Sequence, residues 1–287
     1  MCLRASSLWR NRLQQPLAWT YSWRILAFAG MNAAVALAAL RAARTWFRHA
    51  PRSERMLAAG ALFFAQVVFC TALAGFAGLA NLPALAAGAA VLFLASRWLK
   101  PPTGREPRPP LVPPVKVLLV LAGVCVAAAA LWGVAMHPPP GGDGYIYHLY
   151  FPATWLQQGR ITYVDLPYGV QAATYYPLNT ELFYLWLLAP IGDDFLANTA
   201  QLPALALGAL CVYALARRAG ASRNGALAGA GLAALVPGFI QQAAVARVDL
   251  FFGLWFLAAL YFLYAWNCNR EPARFILAGI CWGLFLG

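Results

Sequence analysis

Acidic side chains are the scarcest charge in this sequence: there are nine among 287 residues, and charged residues of both signs make up only 10%. Water-soluble domains carry nearer ~25%, so an ordinary soluble globular chain is excluded. Histidine is rarer still, with three in the chain. The six cysteines (Cys2, Cys70, Cys125, Cys211, Cys268 and Cys281) form no CxxC pair, and none falls between 137 and 194. That spacing argues against a disulfide framework and a cysteine zinc site. The thiols read as small apolar residues of helices.

What the chain has instead is length of apolar sequence, with hydrophobic residues at 62%. Runs approaching the ~20 residues needed to cross a bilayer lie at about 22–43, 56–76, 82–99, 115–136, 195–216, 225–246 and 250–267. An eighth begins near 273 and is still apolar at Gly287, so its remainder and further spans are expected beyond that residue. "KPPTGREPRPPLVPPVK" (100–116) is a proline-rich basic linker that is not helical throughout. The predicted fold is an all-α polytopic transmembrane helix bundle. Residues 1–114 form N-terminal transmembrane helices and the linker; 115–287 form a second region around a first outer loop, 137–194.

The net charge of +12 does not point to nucleic acid, because the basic residues sit in short clusters between apolar runs rather than on one face. Stretch 137–194 holds one basic residue, Arg160, and five acids: Asp143, Asp165, Glu181, Asp193 and Asp194. The linker and the turns "ARRAGASRNG" and "NREPAR" are basic. Placing these three in the cytoplasm puts 137–194, Arg247 and Asp249 outside. The apolar piece 177–191 then does not cross, and is expected to be an interfacial helix. At the amino terminus both flanks of 22–43 look cytoplasmic. Either the chain starts outside or that first piece is interfacial.

"GGDGYIYHLYFPATWLQQG" (141–159) places an aspartate, a histidine and several aromatics just past the fourth span. One reading is an aromatic interfacial belt with a turn or capping aspartate. The other is a site. In order and spacing, "GDGYIYHL", "ATWLQQGRI", "YYPLNTELFYLWL" and "ARVDLFFGLWFLAALYFL" together resemble the C-superfamily of membrane glycosyltransferases, GT-C. That superfamily includes protein O-mannosyltransferases and the bacterial aminoarabinose and lipopolysaccharide-core sugar transferases. The resemblance covers about 135–287. It departs from the family at Gly144, where a glutamate often follows the aspartate.

The resemblance implies transfer of a sugar from a polyprenyl-phosphate donor to a lipid, glycan or protein acceptor at the outer face of the inner membrane. It implies no certain cofactor, with a divalent metal as an option. Asp143 would be the catalytic base or would orient the acceptor. Tyr147, His148, Glu181, Arg247 and Asp249 would bind substrate, with Arg247 suited to the lipid phosphate and Asp249 near that phosphate or a metal. Each also has a structural reading. Glu181 and Asp249 favour helix N-terminal dipoles, Thr180 caps the 177–191 helix, and Arg247 and His148 anchor at the interface. Asp193 and Asp194 cap the following span, and Asp165 is a turn residue. The rival functional class is a transporter or a non-catalytic membrane protein, including an inactive remnant; Pro237 and Gln241–Gln242 are its only hints.

The orientation is testable by single-cysteine labelling in a cysteine-free background. Position 165 should react in intact cells, and position 222 only after permeabilisation. Reaction at 222 in intact cells would invert the topology.

Overall fold

The computed structural model describes residues 17–102, 110–136, 142–166 and 171–287, with side chains of the first helix from residue 22 onward. His137 and residues 103–109 of the linker lie outside the described residues. Among those described there is no strand. In chain order the α-helices are α1 (Leu17–Trp46), α2 (Arg52–Phe76), α3 (Leu82–Ser96), α4 (Pro113–Ala135), α5 (Tyr150–Gln158) and α6 (Asn179–Ile191). Then follow α7 (Leu202–Arg218), α8 (Arg223–Ala234), α9 (Pro237–Ala243), α10 (Asp249–Asn269) and α11 (Pro272–Leu286). Five helical segments are long and apolar enough to cross a membrane, or six if α8 and α9 are one bent span. The chain is a multi-pass helical membrane protein.

Two of the eight expected spans differ. Helix α3 holds 15 residues. That is about 22 Å of helix, short of the ~30 Å hydrocarbon core. The run 225–246 is broken, with α8 and α9 meeting at 62°. Pro237 lacks an N–H and its ring crowds the preceding turn, so it starts a new helix instead of continuing the old one. Local chemistry sets other helix starts too. Asn81 Oδ1 accepts from Ala84 N (3.0 Å) and Ser222 Oγ from Gly225 N (3.1 Å).

Helix α6 forms inside the stretch expected to lie with one face in lipid, yet every residue from Thr180 to Pro190 is buried. It packs against α1, α2 and α5. "LFYLWLLAP" is apolar on all sides, and such a helix belongs inside a bundle. Phe64 of α2 marks the packing centre, with ring centroids 4.8 Å from Phe183, 5.0 Å from Phe251 and 5.3 Å from Trp255. One buried core thus joins the N-terminal helices to those after residue 115.

The two ends of the bundle differ in charge. At one end Glu54, fully buried in the first turn of α2, is the acceptor for three donors. Arg274 Nε reaches Oε1 at 2.6 Å, while Arg218 Nη2 and the Tyr261 hydroxyl reach Oε2 at 3.0 Å each. The start of α2, the end of α7 and the start of α11 are thereby pinned together. At the other end α2 runs into the outer stretch, where Ile161 N donates to Gly75 O (3.0 Å) and Ala80 N to Gly159 O (2.8 Å). Arg24 of α1 donates to Ile191 O at this same end (3.4 Å), so α1 runs the length of the bundle with its start beside the outer stretch.

Glu54→Ala strands two guanidinium groups, one of them (Arg274) only 2% exposed. Loss of one partner from a buried ion network costs about 3–5 kcal/mol. The expected outcome is a large drop in thermal stability in detergent. Glu271→Gln, at the half-exposed partner of Arg274, should cost about 0–1 kcal/mol. Similar melting of both variants would contradict the central role of Glu54.

Candidate functional site

Three irregular pieces meet at the end opposite Glu54: the turn after Asp143, the start of α6, and the link 244–248 between α9 and α10. Residues Gly144–His148 form a single π-helical turn, closed by Leu149 N donating to Gly144 O at 2.8 Å. Such wide turns are uncommon and concentrate at functional positions. Gly144 is buried here because the turn lies against the link: a Cβ at 144 would sit 3.2 Å from the Ala246 carbonyl oxygen. This close approach is a physical reason for glycine at 144.

The link itself is irregular backbone, so its polar groups need side-chain partners. Asn198 supplies Nδ2 to Gly133 O (3.1 Å) and Met136 O (2.8 Å), and accepts from Ala246 N at Oδ1 (3.1 Å). Gln201 donates to Gln242 O (2.7 Å) and accepts from Leu250 N (2.8 Å). The Tyr184 hydroxyl donates to Arg247 O (2.8 Å). Arg247 and Asp249 are therefore carried on a backbone fixed from both sides. Their side chains are half-buried and exposed respectively, and neither joins an ion pair among the described residues.

His148 and Glu181 form a buried pair. Nδ1 lies 2.6 Å from Oε1, and the residues are only 5% and 2% exposed. With the carboxylate ionised, the ring donates from Nδ1 and its orientation is fixed. Glu181 Oε2 is buried with no hydrogen-bond partner among the described residues. Buried polar atoms are almost always satisfied, so this oxygen marks a place for a further donor. Burial pushes the Tyr147 phenol up to about 12, with the charges of Asp143, Tyr176, Glu181 and Asp249 acting the same way. Three acids from separate parts of the chain thus raise the same phenol. It stays a neutral hydrogen-bond donor throughout the physiological range. Its ring lies 4.2 Å from that of His148 and 5.9 Å from that of Tyr176.

Asp143, Tyr147, His148, Glu181 and Asp249 are thus brought to one end of the bundle, and the Arg247 backbone is tied to α6 beside them. Asp143 is half-buried in helical conformation and makes no capping bond. The capping alternative therefore does not describe it. Thr180 does not cap either: Leu178 holds the cap position of α6, and no side-chain bond is made there. The anchoring alternative for His148 is also corrected, since the ring is inside. Phe151 and Trp155 likewise point inward at 2% exposure each and stack on one another. Asp249 opens α10, so its favourable helix-terminal charge coexists with its place near Tyr147. Asp165 is exposed and bonded by Gln171 (2.7 Å), outside the cluster. Asp193 accepts from Phe195 N (3.2 Å).

Sequence reasoning missed Asn198, Gln201 and Tyr184. The signal that could have found the two amides is their i, i+3 spacing inside an apolar run. Among the described residues no group of three or more His, Cys, Asp or Glu side chains is arranged to hold a metal ion. No protein-family profile, curated protein or solved structure matches the chain.

Asn198→Ala deprives two carbonyls and one N–H of their partner, at about 1–3 kcal/mol for each group left buried and unpaired. The expected result is faster amide exchange at Ala246 and weakened packing of the 144–148 turn. Exchange at Ala246 unchanged from wild type would show that the link is held by other means.

Proposed function

We propose that this chain belongs to an integral membrane glycosyltransferase of GT-C type. On this reading it moves a sugar from a polyprenyl-phosphate donor to a hydroxyl acceptor at the outer face of the inner membrane. The observation that supports the reading is the buried His148–Glu181 pair, whose Glu181 Oε2 has no partner among the described residues, at the end of the bundle that also carries Asp143, Tyr147 and Asp249.

Asp143 takes the acceptor proton as the acceptor oxygen bonds to the anomeric carbon. The bond from that carbon to the phosphate oxygen breaks, and the lipid phosphate leaves with the electron pair. Such proton removal contributes about 10²–10⁴-fold. Arg247 faces the departing phosphate, a role for which a guanidinium is suited. Asp249 orients the donor, and the His148–Glu181 pair holds the acceptor with its remaining polar atoms.

A second reading, transport, draws on the bent α8–α9 pair, since transporters place sites at interrupted helices. Against it, Asn198 holds Ala246 N and Tyr184 holds Arg247 O, so part of the irregular backbone of 244–248 is tied to neighbouring side chains.

In a sugar-transfer assay with polyprenyl-phosphate sugars and membrane acceptors, Asp143→Asn should lower the rate at least ~100-fold with normal insertion. Asp165→Asn should stay near wild type, and Asp249→Asn should raise the donor concentration needed. Equal, mild losses at Asp143 and Asp165 would remove Asp143 from the chemistry.

A further inference from the structure

A cavity of about 800 Å³ opens at the basic end of the bundle, between the start of α2, α4, the second half of α7, and α8. It lies at the opposite end from Tyr147 and His148, beside the Glu54 cluster. Its size falls in the range of small-molecule sites, roughly 300–1,000 Å³. Among the described residues, four arginines line it, Arg52, Arg217, Arg218 and Arg223, and no acid does. The rest of the lining is mostly apolar, including Leu119, Leu210 and Leu227 and small residues of α8. Helix α4, which forms one wall, is only 17% buried over its apolar window, so this side borders lipid.

We propose that this cavity binds an anionic phospholipid from the leaflet that meets the basic end, its phosphate among the arginines and one acyl chain along the leucines. Charge complementarity selects the head group: guanidinium groups pair with phosphate oxygens through two parallel hydrogen bonds. Basic pockets between transmembrane helices suit such head groups. The apolar lining excludes inorganic phosphate as the sole occupant, because it leaves that surface uncovered. Arg218 links the site to the fold. Its Nη2 holds Glu54 at 3.0 Å, and its guanidinium carbon lies 5.6 Å from the centroid of the Tyr261 ring. A bound phosphate there adds an anion beside the cation that Glu54 already holds. The inference does not depend on sugar transfer.

The test uses the purified full chain in detergent, titrated with phosphatidylglycerol, phosphatidylcholine or inorganic phosphate and read by native mass spectrometry. Wild type should retain one phosphatidylglycerol with at least tenfold preference over phosphatidylcholine, and inorganic phosphate should not displace it. R217Q/R223Q should lose that preference, R217K/R223K should recover part of it, and Ala209→Leu, which narrows the apolar wall, should weaken retention. Arg218 is left intact because it holds Glu54. Equal retention of the two lipids by wild type would overturn the proposal, and so would displacement by inorganic phosphate. Undiminished preference in a folded R217Q/R223Q would do the same. Should that variant fail to fold, the comparison of lipids on wild type and the Ala209→Leu variant decides alone.

Discussion

Glu54 sits at a position with no exposure to solvent, in a protein whose acids number nine in all. A carboxylate there is tolerable only because Arg274, Arg218 and Tyr261 all donate to it. Desolvating such groups costs several kcal/mol per ion before pairing repays it. An arrangement of this kind is weak evidence for net stability but strong evidence for register. Helices in lipid gain little from apolar contact, since the lipid tails are as apolar as their side chains. The ionic cluster has one geometry, and it fixes the relative height of α2, α7, α10 and α11. Every position at the far end follows from that alignment.

The far end applies the same rule with uncharged groups. Breaking the chain between α9 and α10 exposes backbone that a lipid environment cannot satisfy. Asn198 and Gln201 take up those groups, and they do so from the short turn leading into α7, the helix whose other end carries Arg218. The link is thereby locked to the same helix that Glu54 locks. Gly144 can then approach Ala246 closely, and the π turn sets Tyr147 and His148 against Glu181. A site made of three loops becomes rigid because each loop is tied to a helix already fixed in height.

Much of this architecture was legible in the sequence, for a simple reason: long apolar runs and Lys/Arg asymmetry are properties of the chain itself. The role of Glu54 was not legible. Glu54 in "RSER" reads as one charge in a basic surface turn, and only the return of residues 218 and 274 reveals it as a hub. The site residues were legible as candidates, because an acid, a histidine and tyrosines beyond a span are unusual wherever they fall. Their pairing was not, since His148 and Glu181 are separated by 33 positions and joined by tertiary packing alone. The burial of α6 was available in principle. "LFYLWLLAP" has no polar face, and an interfacial helix needs one.

Helix α7 connects the two chemistries and sets their separation. Its 17 residues measure about 25 Å, close to the ~30 Å of a hydrocarbon core. When Arg218 and its neighbours stand at one head-group layer, Gln201 and the link it holds stand near the other. On that alignment the acids near Tyr147 fall at the end of the apolar helices, without any of them having to sit unpaired among apolar side chains. Glu54 is the exception to that last condition, and its three donors are what allow it. The placing of charges at the two ends of the bundle thus follows one rule. In this solvent a charge is kept only where water, a head group or a dedicated partner can reach it.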